Sequence, residues 1–215
     1  MVAFESEARV LSWVLAGLAA LSIIVGSIIA LSQADLKRLL AYSSISHSGY
    51  ALLGFFSGTP EGASASMTYA FLYVFMTLGA FGVIVALGER GERLDGYQGL
   101  AAQRPVMAAL MLLFLLSLTG IPPTAGFTAK FFVILNAVRA GYLVLAVLAV
   151  VCSVISAFVY LRVAVLMYMK ESEGAEGAAP SRCPVAVLAA LAVATLVTVI
   201  GGIFPGGLTY WAVAP

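Results

Sequence analysis

Two side chains in this sequence carry an exchangeable proton within long stretches that hold no other charged residue. Lys130 stands in Gly126-Phe127-Thr128-Ala129-Lys130-Phe131-Phe132 and is one of three lysines, the others being Lys37 and Lys170. His47 is the only histidine and stands in Tyr42-Ser43-Ser44-Ile45-Ser46-His47-Ser48. An imidazole exchanges its proton close to neutral pH, and a lysine held away from water can give up its proton and take it back. The serines around His47 add hydroxyls able to hold a water chain. The chemistry this set suits is a proton relay. Each member also has a plainer reading: Lys130 as a lysine whose stem snorkels to an interface, and His47 as a ring tied to a neighbouring hydroxyl to join two helices. Asp35, Lys37 and Arg38 close the first apolar run and form either a proton-entry mouth or a topology signal with surface charge.

The elements that position these groups follow from composition. The chain has 215 residues, 62% hydrophobic and 10% charged, with a net charge of +1 and a mean hydropathy of +1.07. A soluble domain has about 45–50% apolar and about 25% charged residues, so too few charges are present to cover a water-facing surface. That excludes a soluble enzyme, a nucleic-acid binder and a disordered chain, and leaves an all-α polytopic membrane protein in contact with the lipid bilayer. Neither Cys152 nor Cys183 belongs to a metal or disulfide framework, and no phosphate-binding or nucleophile motif is present. Glu5 and Glu7 against Arg9 are wrong for the basic start of a signal peptide, so the first apolar run is expected to be retained.

Crossing a hydrocarbon core of about 30 Å takes roughly 20 apolar residues. Such runs lie at Val10–Ser32, Leu39–Phe56, Met67–Leu87, Leu143–Met169 and Val185–Phe204. Between Pro105 and Arg139, Gly120-Ile121-Pro122-Pro123-Thr124-Ala125-Gly126 interrupts a further apolar stretch. This is either a hairpin of two short helices, giving seven crossings, or one broken helix, giving six. Lys and Arg collect in cytoplasmic loops. Six crossings put Lys37, Arg38, Arg90, Arg93, Arg104, Lys170 and Arg182 on one side and leave Arg9 and Arg139 opposite, the cleaner partition. The expectation is about six transmembrane helices, one of them broken (Pro105–Arg139), with both termini outside. Unpaired backbone within a membrane survives only inside protein or beside a hydrated cavity, and transporters build ion sites at such half-helix ends. Gly120, Pro122, Pro123 and Gly126 therefore mark a candidate site just ahead of Lys130. Ser153, Ser156 and Tyr160 recur on one helical face, as do Tyr69, Tyr73 and Thr77. With Thr128, the first set is a candidate channel lining, although polar stripes also simply join helices. Gly79 and Gly82 fit close helix packing.

Two segments, Ala30-Leu31-Ser32-Gln33-Ala34-Asp35-Leu36-Lys37-Arg38-Leu39-Leu40-Ala41-Tyr42-Ser43-Ser44-Ile45-Ser46-His47 and Leu116-Ser117-Leu118-Thr119-Gly120-Ile121-Pro122-Pro123-Thr124-Ala125-Gly126-Phe127-Thr128-Ala129-Lys130-Phe131, closely resemble the antiporter-like, proton-translocating subunits of respiratory complex I. Within that family the resemblance is strongest to the subunit N branch. The lysine after the break and His47 favour that branch over its sisters M and L, while Asp35 departs from the asparagine usual there. The resemblance covers nearly the whole chain but about half the family's usual length, and implies its C-terminal half. Residues 1–9 would then be a short polar N-terminus, 10–169 the second antiporter-like repeat of five helices, 170–183 a cytoplasmic loop and 184–215 the final transmembrane helix. It further implies a bacterial cytoplasmic (inner) membrane location and proton translocation within NADH:quinone oxidoreductase. Lys130 would be the terminal channel lysine, His47 a relay member, and Asp35 and Lys37 would lie near the entry. The chain would act as a non-redox translocase subunit without its own cofactor, with NADH, FMN, iron–sulfur clusters and quinone on the wider complex. Its partners would be other membrane-arm subunits and the missing N-terminal half, with no nucleic acid. The alternatives are a subunit of a related cation/proton antiporter or membrane-bound hydrogenase, or a truncated, non-conducting structural fragment.

Overall fold

Short polar side chains, proline and glycine set the helix ends. The computed structural model of the chain describes residues 2–55, 57–171 and 184–204, with side chains from Val10 onward. Its helices are α1 (Val2–Leu31), α2 (Leu36–Phe55), α3 (Pro60–Leu87), the single turn α4 (Leu100–Gln103), α5 (Pro105–Thr119), α6 (Ala125–Arg139), α7 (Leu143–Met169) and α8 (Val185–Ile203). Asp35 Oδ1 accepts from Arg38 N at 3.1 Å ahead of α2, and Thr59 Oγ1 accepts from Gly62 N at 3.1 Å ahead of α3. Pro60 and Pro105 open α3 and α5, where the missing N–H costs nothing. Gly120 ends α5 at φ +88°, a left-handed conformation in which any side chain is strained.

The helices α1, α3, α7 and α8 are each long and apolar enough to cross a membrane. By contrast α5 and α6 have 15 residues each, about 22 Å at the helical rise, and neither reaches across alone. Their placement along α3 decides how they cross. Glu61 and Ser64, near the start of α3, share a cavity with Asn136 and Arg139 at the end of α6. Midway, Met76 Sδ receives a hydrogen bond from Ser117 Oγ at 2.8 Å. Further along, Gly79 abuts the Phe114 ring, and Arg104 Nη1 reaches Ala86 O at 3.5 Å. The single helix α3 is thus flanked first by α6 and then by α5 along its whole 28 residues. Together α5, the break and α6 make one traverse, antiparallel to α3. Counting α2, the described helices make six traverses of the bundle, the number the charge partition predicts.

Two ends result. At one, the segment after α3 is stitched to the α1–α2 turn by Leu36 N to Glu92 O (2.7 Å) and Leu94 N to Ala34 O (3.1 Å), with Lys37 paired to Glu92. Arg90 holds this segment folded by donating to Gly96 O at 2.8 Å and Gln103 Oε1 at 2.6 Å. Tyr97 donates to Gly91 O at 2.9 Å, and burial pushes its phenol above the ordinary range. Gly99 N to Leu166 O (3.2 Å) brings the end of α7 to the same place. At the other end, Ser57, Thr59 and Glu61 face Asn136, Arg139 and Ala140. The positions called basic on one side, Lys37, Arg38, Arg90, Arg93, Arg104 and Lys170, share the first end, and Arg139 lies at the second. Arg182 lies outside the described residues, as does the side chain of Arg9.

The interior is mostly aliphatic and aromatic, but it also holds a set of polar groups. Ser27, Ser43, Ser46, His47, Lys130 and Ser156 are buried, while Trp13, Val144, Val154 and Phe158 are more than half exposed. Large apolar side chains on the outer surface, with polar groups kept inside, suit a molecule whose solvent is lipid.

Candidate functional site

The break leaves the last carbonyls of α5 without helical donors, and all four find partners. Leu116 O and Ser117 O accept from the main chain of Gly120 and Ile121. Leu118 O and Thr119 O accept from Lys130 Nζ at 2.9 and 2.8 Å. Lys130 lies on the second turn of α6, so its side chain reaches back across Gly120 to the end of the preceding half-helix. There the ammonium meets the negative end of the α5 dipole, the site a cation favours. Ser153 Oγ on α7 accepts a third bond at 3.1 Å, and Thr119 O accepts from Ser153 Oγ at 3.3 Å. The ring of Tyr50 on α2 lies below the ammonium, 4.9 Å from Nζ to its centroid. Lys130 is 5% exposed, so this charge has protein oxygens and a π face where water would otherwise be.

The relative placement of the half-helices depends on Ser117. Its Oγ accepts from Gly126 N at 3.1 Å while donating to Met76 Sδ, joining α5, α6 and α3 at one buried atom. Gly126 allows this, since a Cβ there would overlap the Ser117 carbonyl. Pro122 and Pro123 form the exposed outer edge of the break.

From Lys130 a column of polar groups runs toward the end that carries most of the cations. Tyr50 donates to Ala149 O at 2.6 Å, and its ring lies 6.0 Å from that of His47. His47 Nδ1 shares a hydrogen bond with Tyr69 Oη at 2.7 Å, and its ring stacks on Tyr73 at 4.7 Å. Beyond it, Ser27 Oγ bridges Ser46 Oγ (3.0 Å) and Ser156 Oγ (3.3 Å), and Ser43 is hydrogen-bonded to Tyr160. Ser153, Ser156 and Tyr160 therefore fall on this column, as do Tyr69 and Tyr73. Thr128 does not: it lies about 200° around α6 from Lys130 and is half-buried on another face. Asp35 and Lys37 lie at the surface end, with Lys37 about 15 Å along α2 from His47; Asp35 caps the helix and Lys37 pairs with Glu92. Tyr50, Ser27 and the Leu118 and Thr119 carbonyls are members the sequence reading missed. A signal for the first was present, because Ser43, Ser46, His47 and Tyr50 recur at helical spacing on one face of α2. Among the described residues no three His, Cys, Asp or Glu side chains stand close enough to hold a metal ion.

Likeness to known proteins points the same way. Residues 1–156 match the family described as NADH:quinone oxidoreductase/Mrp antiporter, transmembrane. The chain is 49% identical over 213 residues to NADH-quinone oxidoreductase subunit N of Desulfovibrio desulfuricans, a match covering 92% of this chain and 42% of that protein. It is 44% identical over 215 residues to the protein of the same name from Trichlorobacter lovleyi, covering 99% of this chain and 44% of that one. Among solved structures, respiratory complex I from Thermus thermophilus with bound aureothin superposes with a TM-score of 0.75 at 34% identity, covering 91% of this chain and 44% of the matched one. The Mrp complex from Dietzia sp. DQ12-45-1b does so with a TM-score of 0.83 at 25% identity, covering 98% and 48%. The chain spans less than half the length of each of these relatives.

Proposed function

The chain belongs to the NADH:quinone oxidoreductase/Mrp antiporter transmembrane family, and on that premise we propose that it moves protons across a bacterial cytoplasmic membrane as the C-terminal half of a subunit N in the complex I membrane arm. Residues 10–169 would form the second five-helix antiporter-like repeat, 170–183 a cytoplasmic loop and 184–215 the last transmembrane segment. Its partners are the neighbouring membrane-arm subunits and the upstream half of the same subunit. Redox chemistry belongs to other subunits, and this chain contributes translocation alone.

The observation that carries the reading is the Lys130 ammonium seated on the free carbonyls of α5. Protonated, it offsets the partial negative charge at that half-helix end. Deprotonated, it leaves Leu118 O and Thr119 O without their charged donor. The two states differ by a proton and by the electrostatic balance of the break, so a field imposed by neighbouring subunits shifts the proton on or off. His47, Tyr69 and the serine groups supply donors and acceptors toward the cation-rich end, with water bridging gaps longer than a hydrogen bond. Asp35 and Lys37 would mark the mouth of that route.

The test is Lys130→Met in the complete complex, in vesicles, with proton uptake measured per NADH oxidised. Uptake is expected to fall while electron transfer persists; an unchanged ratio overturns the relay. A second reading, a cation/proton antiporter subunit, is favoured by the superposition on the Mrp complex. Sodium flux driven by an imposed pH gradient in the same vesicles distinguishes it.

A further inference from the structure

The Lys130 ammonium has three N–H donors, and each finds an acceptor: Leu118 O at 2.9 Å, Thr119 O at 2.8 Å and Ser153 Oγ at 3.1 Å. Once a proton leaves, the neutral amine keeps two N–H groups and gains a lone pair, so it then needs two acceptors and one donor. Its neighbours differ in which of these they can supply. The two α5 carbonyls only accept. The Tyr50 ring offers a π face, and its hydroxyl is committed to Ala149 O at 2.6 Å. Ser153, half-buried on α7, is the one hydrogen-bond partner of Nζ among the described residues whose atom both accepts and donates. Its own proton is directed at Thr119 O, 3.3 Å away. That is the longest of the four bonds, and so the one released at least cost.

Ser153 also leads onward. Ser156 follows it by one turn on the same face of α7, with about 5–6 Å between their Cβ atoms, and is hydrogen-bonded to Ser27 at 3.3 Å. One water bridges a gap of that size. On the reading that Lys130 carries a translocated proton, we propose that Ser153 is the hydroxyl through which that proton leaves. The hydroxyl first turns from Thr119 O to a water between Ser153 and Ser156. The Nζ–H bond then breaks as a new Oγ–H bond forms, and the original Ser153 O–H bond breaks as its proton passes to the water. Lys130 ends neutral, the water carries the proton, and the serine hydroxyl is regenerated. Its new proton faces the Nζ lone pair, so the amine stays seated on Leu118 O and Thr119 O with every donor and acceptor matched. The reverse sequence reloads the ammonium.

The experiment compares Ser153→Ala, Ser153→Thr and Lys130→Met in the complete complex in vesicles. Proton uptake is measured per NADH oxidised, with NADH-driven quinone reduction reporting that the complex is assembled. Ser153→Ala removes the hydroxyl and is expected to lower uptake to the Lys130→Met level. Ser153→Thr restores the hydroxyl with one added methyl and is expected to recover most of that loss. Parental uptake in Ser153→Ala, with uptake lowered in Lys130→Met, overturns the role of Ser153 and leaves the relay standing. Equal losses in Ser153→Ala and Ser153→Thr, or loss of quinone reduction in Ser153→Ala, overturn it as well, since packing would then be what Ser153 contributes. Parental uptake in Lys130→Met overturns the relay and this step together.

Discussion

Lys130 answers to three oxygens and an aromatic face, and His47 to a single hydroxyl. That difference decides what each tolerates. Among the described residues His47 Nδ1 has one hydrogen-bond partner, Tyr69 Oη, so Tyr69→Phe leaves a buried ring nitrogen unsatisfied. The cost is about 1–3 kcal/mol, and thermal melting of the detergent-solubilised complex is expected to shift downward. An unshifted melt means the His47–Tyr69 bond contributes nothing. Lysine and histidine were legible from sequence because a rare ionisable group inside an apolar run is conspicuous. Tyr50 and Ser27 were not. Tyrosine and serine are common in membrane helices, and nothing in their own neighbourhood says that Tyr50 lies under the Lys130 ammonium, 80 residues away in the chain.

At the scale of elements, the molecule turns on where two half-helices end. The distribution of lysines and arginines favours a break over a hairpin, since a chain crossing six times gathers its cations on one side. The depth register of α3 against α6 and then α5 gives the same answer from packing. Composition did not reveal the lock that sets the break, because Ser117 and Gly126 act only through their mutual contact. Gly126→Ala places a methyl on the Ser117 carbonyl and pushes the half-helices apart, separating Lys130 from Leu118 O and Thr119 O. Proton uptake per NADH is expected to fall about as far as in Lys130→Met, while Phe131→Leu, on an exposed lipid face, leaves it unchanged. Normal uptake in Gly126→Ala means the spacing of the half-helices does not govern Lys130.

Across the whole molecule, charge sorts to the two ends, with Lys130 buried between them, and that sorting predicts orientation. Asp95 stands exposed in the segment after α3, and Ala140 is half-buried at the opposite end. In whole cells, a membrane-impermeant thiol reagent is expected to label Ala140→Cys but not Asp95→Cys, and the pattern should reverse in inverted vesicles. The opposite result would put the cation-rich end outside and contradict the charge rule.

The amino-acid sequence by itself determined the membrane class, the count of crossings, the family and the two ionisable side chains at membrane depth. These follow from quantities each residue carries alone or along its own helix: transfer cost into lipid, charge and periodicity. Only the tertiary structure decided which acceptors receive the Lys130 ammonium, that Thr128 faces elsewhere, that Asp35 and Lys37 stay at the surface, and that Tyr50 and Ser27 join the column. Those are contacts between helices distant in the chain, set by rotation and depth to within an ångström, and one helix's sequence does not specify where its neighbours present their carbonyls and rings.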